Sequence, residues 1–491
     1  MKKIKSAFQK IFRRERLGLL IGLLLFSLMI IMPTPGTLDV SAWRVAAVAI
    51  LMAVWWVTEA IPIPATALLP IVLFPILNVS SVSEATKPFA NPIIYLFMGG
   101  FIIALAMERT NLHKRIALNI LKFVGTRPKS IIMGLMIAAS FLSMWVSNTA
   151  TAMMMLPIAL SIIALVETKK NMKGASLKSN FAIVVLLGLA YACNIGGIAT
   201  LIGTPPNALM AGFMLETYGV EIGFLQWMFV GLPLVLVSLP IVYFLLTKIV
   251  FPIERTDIKG GRGLIRKQLK DIGKMTLPEK MVSFVFLLVA TLWITRPLLE
   301  NIIPNISDTG IAIFGAILIF LLPASFKKME FILDWSHAKK LPWEILILFG
   351  GGLSLASAIT SSGLAEWIGT SLEFFGFLPF ILLFMLSLVV IIFLTEVTSN
   401  TATAAAFLPI LAAVAVALGL DPLLLAVPAA IGASCAFMLP VATPPNAVVF
   451  GSGLITLPQM ARAGFWFNIL MVFIITGVLY LLMGTVFSVS F

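Results

Sequence analysis

The sequence predicts an all-α integral membrane protein: about eleven transmembrane helices plus two re-entrant hairpins, set out as an inverted-topology repeat with two broken helices. Three observations predict it. Of 491 residues, 60% are hydrophobic and only 11% charged, whereas soluble domains run about 45–50% apolar and about 25% charged. No water-soluble core hides that much apolar surface, so a bilayer must be the solvent for much of the chain. The basic residues fall between apolar runs, and two polar motifs occur twice within apolar sequence.

Spans of about 20 apolar residues cross the hydrocarbon. Eleven begin near Leu17, Trp43, Ala65, Pro92, Phe181, Leu225, Val282, Thr309, Trp343, Leu423 and Phe465. The first, Leu17–Met32, follows a basic head, Lys2 to Arg16. A signal peptide looks similar, but no A-x-A-like site follows, so the run reads as the first transmembrane helix. Two further regions, 129–165 and 378–418, are interrupted by polar tips, Ser147-Asn148-Thr149 and Ser399-Asn400-Thr401. They read as re-entrant hairpins.

Charge tests this arrangement. With the N-terminus in the cytoplasm and each hairpin returning to its own side, cytoplasmic segments hold 31 of the 34 Lys and Arg residues. Only Arg44, Lys87 and Arg296 fall outside. Topology follows such bias in short loops, and the bias also accounts for the formal charge of +13. Nucleic-acid binding needs a contiguous basic face and is set aside. The longest polar stretch, 254–280, reads as a cytoplasmic linker between two halves. Cys193 and Cys435 lie alone in apolar stretches and set no disulfide framework.

The two halves share motifs. Residues 147–157 read SNTATAMMMLP and 399–409 read SNTATAAAFLP, an offset of 252. The same offset pairs Phe97-Met98-Gly99-Gly100 with Phe349-Gly350-Gly351-Gly352. Downstream, Thr204-Pro205-Pro206-Asn207-Ala208 matches Thr443-Pro444-Pro445-Asn446-Ala447 at an offset of 239. An odd number of spans separates the copies, so one enters the membrane from each side. Matched interruptions in inverted halves point to a midplane binding site of a transporter.

Non-helical backbone at membrane depth must face protein or a water-filled cavity. In SNTAT, the Ser, Asn and Thr side chains suit a helix N-cap. In TPPNA, tandem prolines break one helix, and the second suits the first turn of the next. Four half-helices should then begin near Thr149, Thr401, Pro206 and Pro445. Their N-termini carry partial positive charge and free N–H donors, which suits an anion with two separated negative groups. The preceding half-helices expose carbonyl oxygens. With Ser143, Ser147, Asn148 and Gly203 in one half, and Thr395, Thr398, Asn400 and Ala442 in the other, these suit Na⁺ as hard oxygen ligands. Two cations beside a dianion lower the electrostatic cost of burying it.

Two carboxylates lie inside apolar sequence, and such residues are functional candidates by default. Glu396 sits just before the second tip and suits a hairpin brace, a cation site or a titrating group. Glu59 ends a span and suits an interfacial anchor equally well. The triple glycine Gly350–Gly352 lacks the GK[ST] of a phosphate loop and reads as close helix packing. The chain has no HExxH or GxSxG, and His113 and His337 lie in polar segments, so no enzyme chemistry is expected.

At the doubled SNT and TPPN motifs the chain resembles the divalent-anion:sodium symporter family. The resemblance runs from WWVTEAIPIPATALLP (55–70) through ANPIIYLFMGGFIIALAMERTNLHKRIAL (90–118), which is similar to bacterial dicarboxylate members, to the final helix. It implies a homodimer, each protomer having a scaffold and a mobile, elevator-type transport domain; the short chain and its basic N-terminus suggest a bacterial inner membrane. On that reading 1–16 is a basic cytoplasmic terminus. Residues 17–128 and 281–377 are scaffold, 129–250 and 378–491 are transport elements, and 251–280 is the linker. The resemblance carries substrate contacts to Asn148, Thr149, Thr204, Asn400, Thr401, Thr443 and Pro444. It carries Na⁺ positions to Ser143, Ser147, Asn148, Gly203, Thr395, Thr398, Asn400 and Ala442. It implies C4-dicarboxylates such as succinate, malate and fumarate, with 2-oxoglutarate a further candidate, and no organic cofactor. Sodium-independent exchange, and carriage of sulfate or citrate, stay open within the family.

Overall fold

The computed structural model describes residues 2–36, 38–123, 127–171, 180–253, 261–325, 330–371 and 379–489. The architecture is helical. Among the described residues the only strands form a small antiparallel ribbon, Pro323–Ser325 with Glu330–Phe331. One hydrophobic core runs through both halves of the chain. Large apolar side chains such as Leu24, Ile31, Phe284, Leu298, Phe473 and Leu481 stay exposed around it. In a chain of this composition those faces meet lipid rather than water.

Among the described residues eight helices are long and apolar enough to cross a membrane: Val40–Thr58, Val82–Arg109, Asn180–Gly197, Phe224–Val250, Leu277–Leu299, Trp343–Ser361, Asn400–Ala417 and Leu457–Val486. Seven of them answer spans expected from the sequence. The spans expected near Ala65, Thr309 and Leu423 are shorter: Ile63–Ile76, Asp308–Leu321 and Leu423–Ala433. The first of these is itself divided at Leu68 into Ile63–Ala67 and Leu69–Ile76. The span expected from Leu17 belongs to a helix that begins in the basic head and runs from Lys2 to Ile31.

Each interrupted region forms a helical hairpin. The first pairs Pro128–Ser143 with a helix from Asn148; the second pairs Phe380–Thr395 with Asn400–Ala417. Asn400–Ala417 is long enough to span by itself. Each TPPNA motif follows a break. The first break separates Asn180–Gly197 from Pro205–Tyr218; the second separates Leu423–Ala433 from the short Pro444–Phe450. The halves interlock. Pro444–Phe450 packs on helices of the first half, and Pro205–Tyr218 packs on helices of the second. The matched residues Phe97 and Phe349 touch, their ring centroids 5.2 Å apart. The glycines beside them permit close approach: a methyl group on Gly351 would overlap the backbone of Ala67.

Within the expected linker the structure places a helix, Gly261–Ile272, which packs against Leu112–Phe123. Arg115 ties this region together. It pairs with Glu279 at 2.8 Å and donates to the Gly273 carbonyl at 2.9 Å. The rest of the linker at 254–260, and most of the expected loop at 166–180, lie outside the described residues.

Candidate functional site: a cavity where four motifs meet

A cavity of about 420 Å³ is lined by all four motifs, a size that suits a small ligand. Asn148 and Thr149 come from the first tip, Asn400 and Thr401 from the second. Thr204 and Pro205 come from the first break, Thr443, Pro444 and Pro445 from the second. Ser147, Gly203, Thr398 and Ala442 also line it. Ser143 and Thr395 do not. They stand one layer behind and hold the tip asparagines: Ser143 Oγ donates to Asn148 Oδ1, and Thr395 Oγ1 donates to Asn400 Oδ1 at 2.8 Å. The sequence therefore chose one set of residues that meet in space, in two layers.

The half-helices start one residue earlier than the sequence suggested, at Asn148, Asn400, Pro205 and Pro444. The first proline of each pair takes the first helical position, where its missing N–H leaves nothing unpaired. Thr204 and Thr443 are the extended N-caps, yet neither side chain caps its helix. Thr204 Oγ1 lies 3.4 Å from Ser434 Oγ, and Thr443 Oγ1 accepts from Asn194 Nδ2 at 3.1 Å. Each break is thus pinned by a residue of the opposite half. Among the tips, Ser147 Oγ accepts from the Ala150 N–H at 3.2 Å, whereas Ser399 makes no side-chain cap.

A broken helix leaves carbonyl oxygens without partners. The asparagine of each TPPNA motif supplies the donors. Asn207 Nδ2 donates to the carbonyls of Gly197, Ile198 and Thr200, the last at 2.9 Å. Asn446 Nδ2 donates to Ala436 and Leu439 at 3.2 and 3.1 Å. Positions 197 and 200 map onto 436 and 439 at the same offset of 239, so the closure is duplicated. Both asparagines are fully buried. Close backbone approach shapes the first break in particular. A methyl group on Gly203 would overlap the Gly197 carbonyl, and one on Gly197 would lie 2.7 Å from Asn148 Oδ1.

Glu396 is buried at 2% exposure. Its carboxylate accepts from the N–H groups of Phe437, Met438 and Leu439 at 2.6, 2.9 and 3.1 Å, and from Asn468 Nδ2 at 2.7 Å. These bonds tie the end of the hairpin's first helix to the second break, a brace between hairpin and break. Asn194 and Ser434 were not singled out from the sequence. Their signal was polarity inside apolar helices, weak for residues that also serve as ordinary core hydrogen bonders.

Three other stretches also line the cavity: Glu59, Ile63 and Pro64; Phe97 and Phe101; Glu344, Ile345 and Leu348. Among the described residues no Lys, Arg or His lines the cavity. Glu59 is exposed and lines the cavity. An anion in this cavity would meet helix N-termini, hydroxyls and carboxamides, with no fixed positive charge.

Residues 13–488 match the family described as the sodium:sulfate symporter transmembrane region. A sodium-dependent dicarboxylate transporter of Staphylococcus saprophyticus, SdcS, is 47% identical over 97% of this chain and 93% of its own. Its Staphylococcus aureus (strain USA300) counterpart is 45% identical over 99% and 95%. Two solved structures share the fold at 14% identity. Neisseria gonorrhoeae MtrF gives a TM-score of 0.56, covering 90% of this chain and 95% of its own. Alcanivorax borkumensis YdaH gives 0.53, covering 97% and 98%. The chain therefore belongs to the sodium:sulfate symporter family, the divalent-anion:sodium symporters whose doubled motifs it carries.

Proposed function

We infer that this protein is a secondary active transporter that carries C4-dicarboxylates such as succinate, malate and fumarate together with Na⁺. The observation that carries this reading is the single cavity in which the four motifs meet without a basic residue. A dianion held only by neutral groups and helix ends needs accompanying cations to offset its charge in low dielectric. Relatives at 45–47% identity over nearly their full length bear the name sodium-dependent dicarboxylate transporter.

In this reading Asn148, Thr149, Thr204, Asn400, Thr401, Thr443 and Pro444 hold the substrate. Na⁺ sits at Ser143, Ser147, Asn148 and Gly203 in one half, and at Thr395, Thr398, Asn400 and Ala442 in the other. The donors are all oxygens, as a hard cation prefers. The motif segments form a transport domain (129–250 and 378–491) that moves as an elevator against a scaffold (17–128 and 281–377), in a homodimer. The lining of the cavity supports that division, since motif segments and scaffold stretches both contribute to it. The bias of Lys and Arg supports a cytoplasmic N-terminus, and the bacterial relatives support a bacterial cell-membrane setting.

Radiolabelled succinate uptake into proteoliposomes tests this. An inward Na⁺ gradient should drive accumulation into empty vesicles. Uptake that ignores sodium and requires internal dicarboxylate would instead make the protein an exchanger. Silence under both conditions would move sulfate or citrate to the front.

A further inference from the structure

We propose that Glu59 and Glu344 form an electrostatic gate at the cavity wall, lowering dianion affinity so that the substrate is held only while its cations are present. The proposal rests on the reading of this cavity as a dianion site. Both carboxylates line the same cavity as the motif tips, both are exposed, and among the described residues no Lys, Arg or His lines it to offset them. Their chain neighbours in the lining, Ile63, Pro64, Ile345 and Leu348, are apolar.

Local folding explains one of the two acids but not the other. Glu344 lies in the first turn of Trp343–Ser361, where the helix dipole favours an acid. Glu59 is the C-cap of Val40–Thr58, where the dipole disfavours one. Its backbone is left-handed at φ 52°, a conformation that glycine takes readily and glutamate does not. Two local penalties at a single residue of the cavity wall point to a role beyond folding.

Equilibrium binding of radiolabelled succinate, and of sulfate in parallel, to the purified full-length protein tests the gate. It is run at the lowest sodium concentration that supports binding, then repeated with added choline chloride. At separations of about 10 Å in a wet cavity, one carboxylate weakens dianion binding by about fourfold. E59Q and E344Q should each tighten binding by about that factor, and the double variant by about tenfold or more. The difference from wild type should shrink as choline chloride screens it. Equal affinity of wild type and double variant overturns the gate, and so does weaker binding by a double variant of unchanged Tm. Should the double variant unfold, the single variants carry the same comparison. Sulfate binding without succinate binding would sink the dicarboxylate reading while leaving the gate testable on sulfate. Binding of neither dianion by the wild type would overturn both.

Discussion

The two breaks are spelled with the same letters and closed by different chemistry. Each ends in TPPNA, and each uses the motif asparagine to satisfy carbonyls freed by the break. In the first, Thr200 Oγ1 reaches back to the Met144 carbonyl at 2.6 Å, and the fit depends on Gly197 and Gly203. In the second, alanines stand at the matching positions 436 and 442, and Glu396 replaces Met144. Its carboxylate takes three consecutive backbone N–H groups out of helical pairing. Accordingly Leu423–Ala433 stops three residues short of the position matching Gly197, where Asn180–Gly197 ends. One half is held by close packing and neutral hydrogen bonds, the other by a buried charge. Duplicated motifs can therefore keep their ligand-facing atoms in register while the support behind them diverges.

The largest test removes what the halves share. Asn148→Ala and Asn400→Ala should each reduce sodium-driven succinate uptake to background while the protein stays folded and monodisperse. Normal uptake by either variant would break the equivalence of the tips. Next comes what only the first half requires. Gly203→Ala should cut uptake at least tenfold, because its methyl group meets a backbone carbonyl that has nowhere to move. Ala442→Gly should retain most activity; equal damage from both would mean that the breaks are packed alike.

A smaller effect probes the charge. Hydrogen bonds to ionised groups contribute about 1.5–3 kcal/mol each. Glu396→Gln keeps one acceptor but turns an N–H₂ group toward backbone donors, so it should lower stability by about 3 kcal/mol, read as a fall in Tm in detergent. Met144→Leu at the matching position should cost less than about 1.5 kcal/mol. Similar shifts would show that Glu396 braces nothing. The smallest effect should be a gain. Thr403 Oγ1 lies 2.5 Å from Thr398 Oγ1, whereas its counterpart Thr151 is buried opposite Val146 without a partner. Val146→Thr should supply that partner and raise stability by about 1 kcal/mol. A lower Tm would mean that the tips differ there in more than one hydroxyl.

Much of the site was legible because a membrane makes interruption conspicuous. Polar tips and tandem prolines inside apolar sequence must be explained, since hydrocarbon offers the freed backbone no water. Duplication then removed chance as an explanation. The rest of the lining was less legible. Phe101, Ile345 and Leu348 are ordinary apolar residues, and only the packing of distant stretches brings them to the cavity. The short spans were misjudged in length for a related reason: hydropathy records where the chain is apolar, whereas the helix ends at Leu68 and Ala433 are set by neighbours.

The sequence by itself determined that this chain belongs in a bilayer and that two polar motifs recur in its two halves, and it marked thirteen candidate positions, of which eleven line the cavity. Composition and repetition suffice for these, because they depend on solvent and period alone. Tertiary structure decided that Ser143 and Thr395 stand behind the tip asparagines. It decided too that Asn194 and Ser434 pin the opposite breaks, and that Glu59 and Glu344 face the same space as the motifs. The pinning of the breaks turns on contacts between residues up to 249 positions apart. A one-dimensional pattern does not encode such distances until the chain has folded.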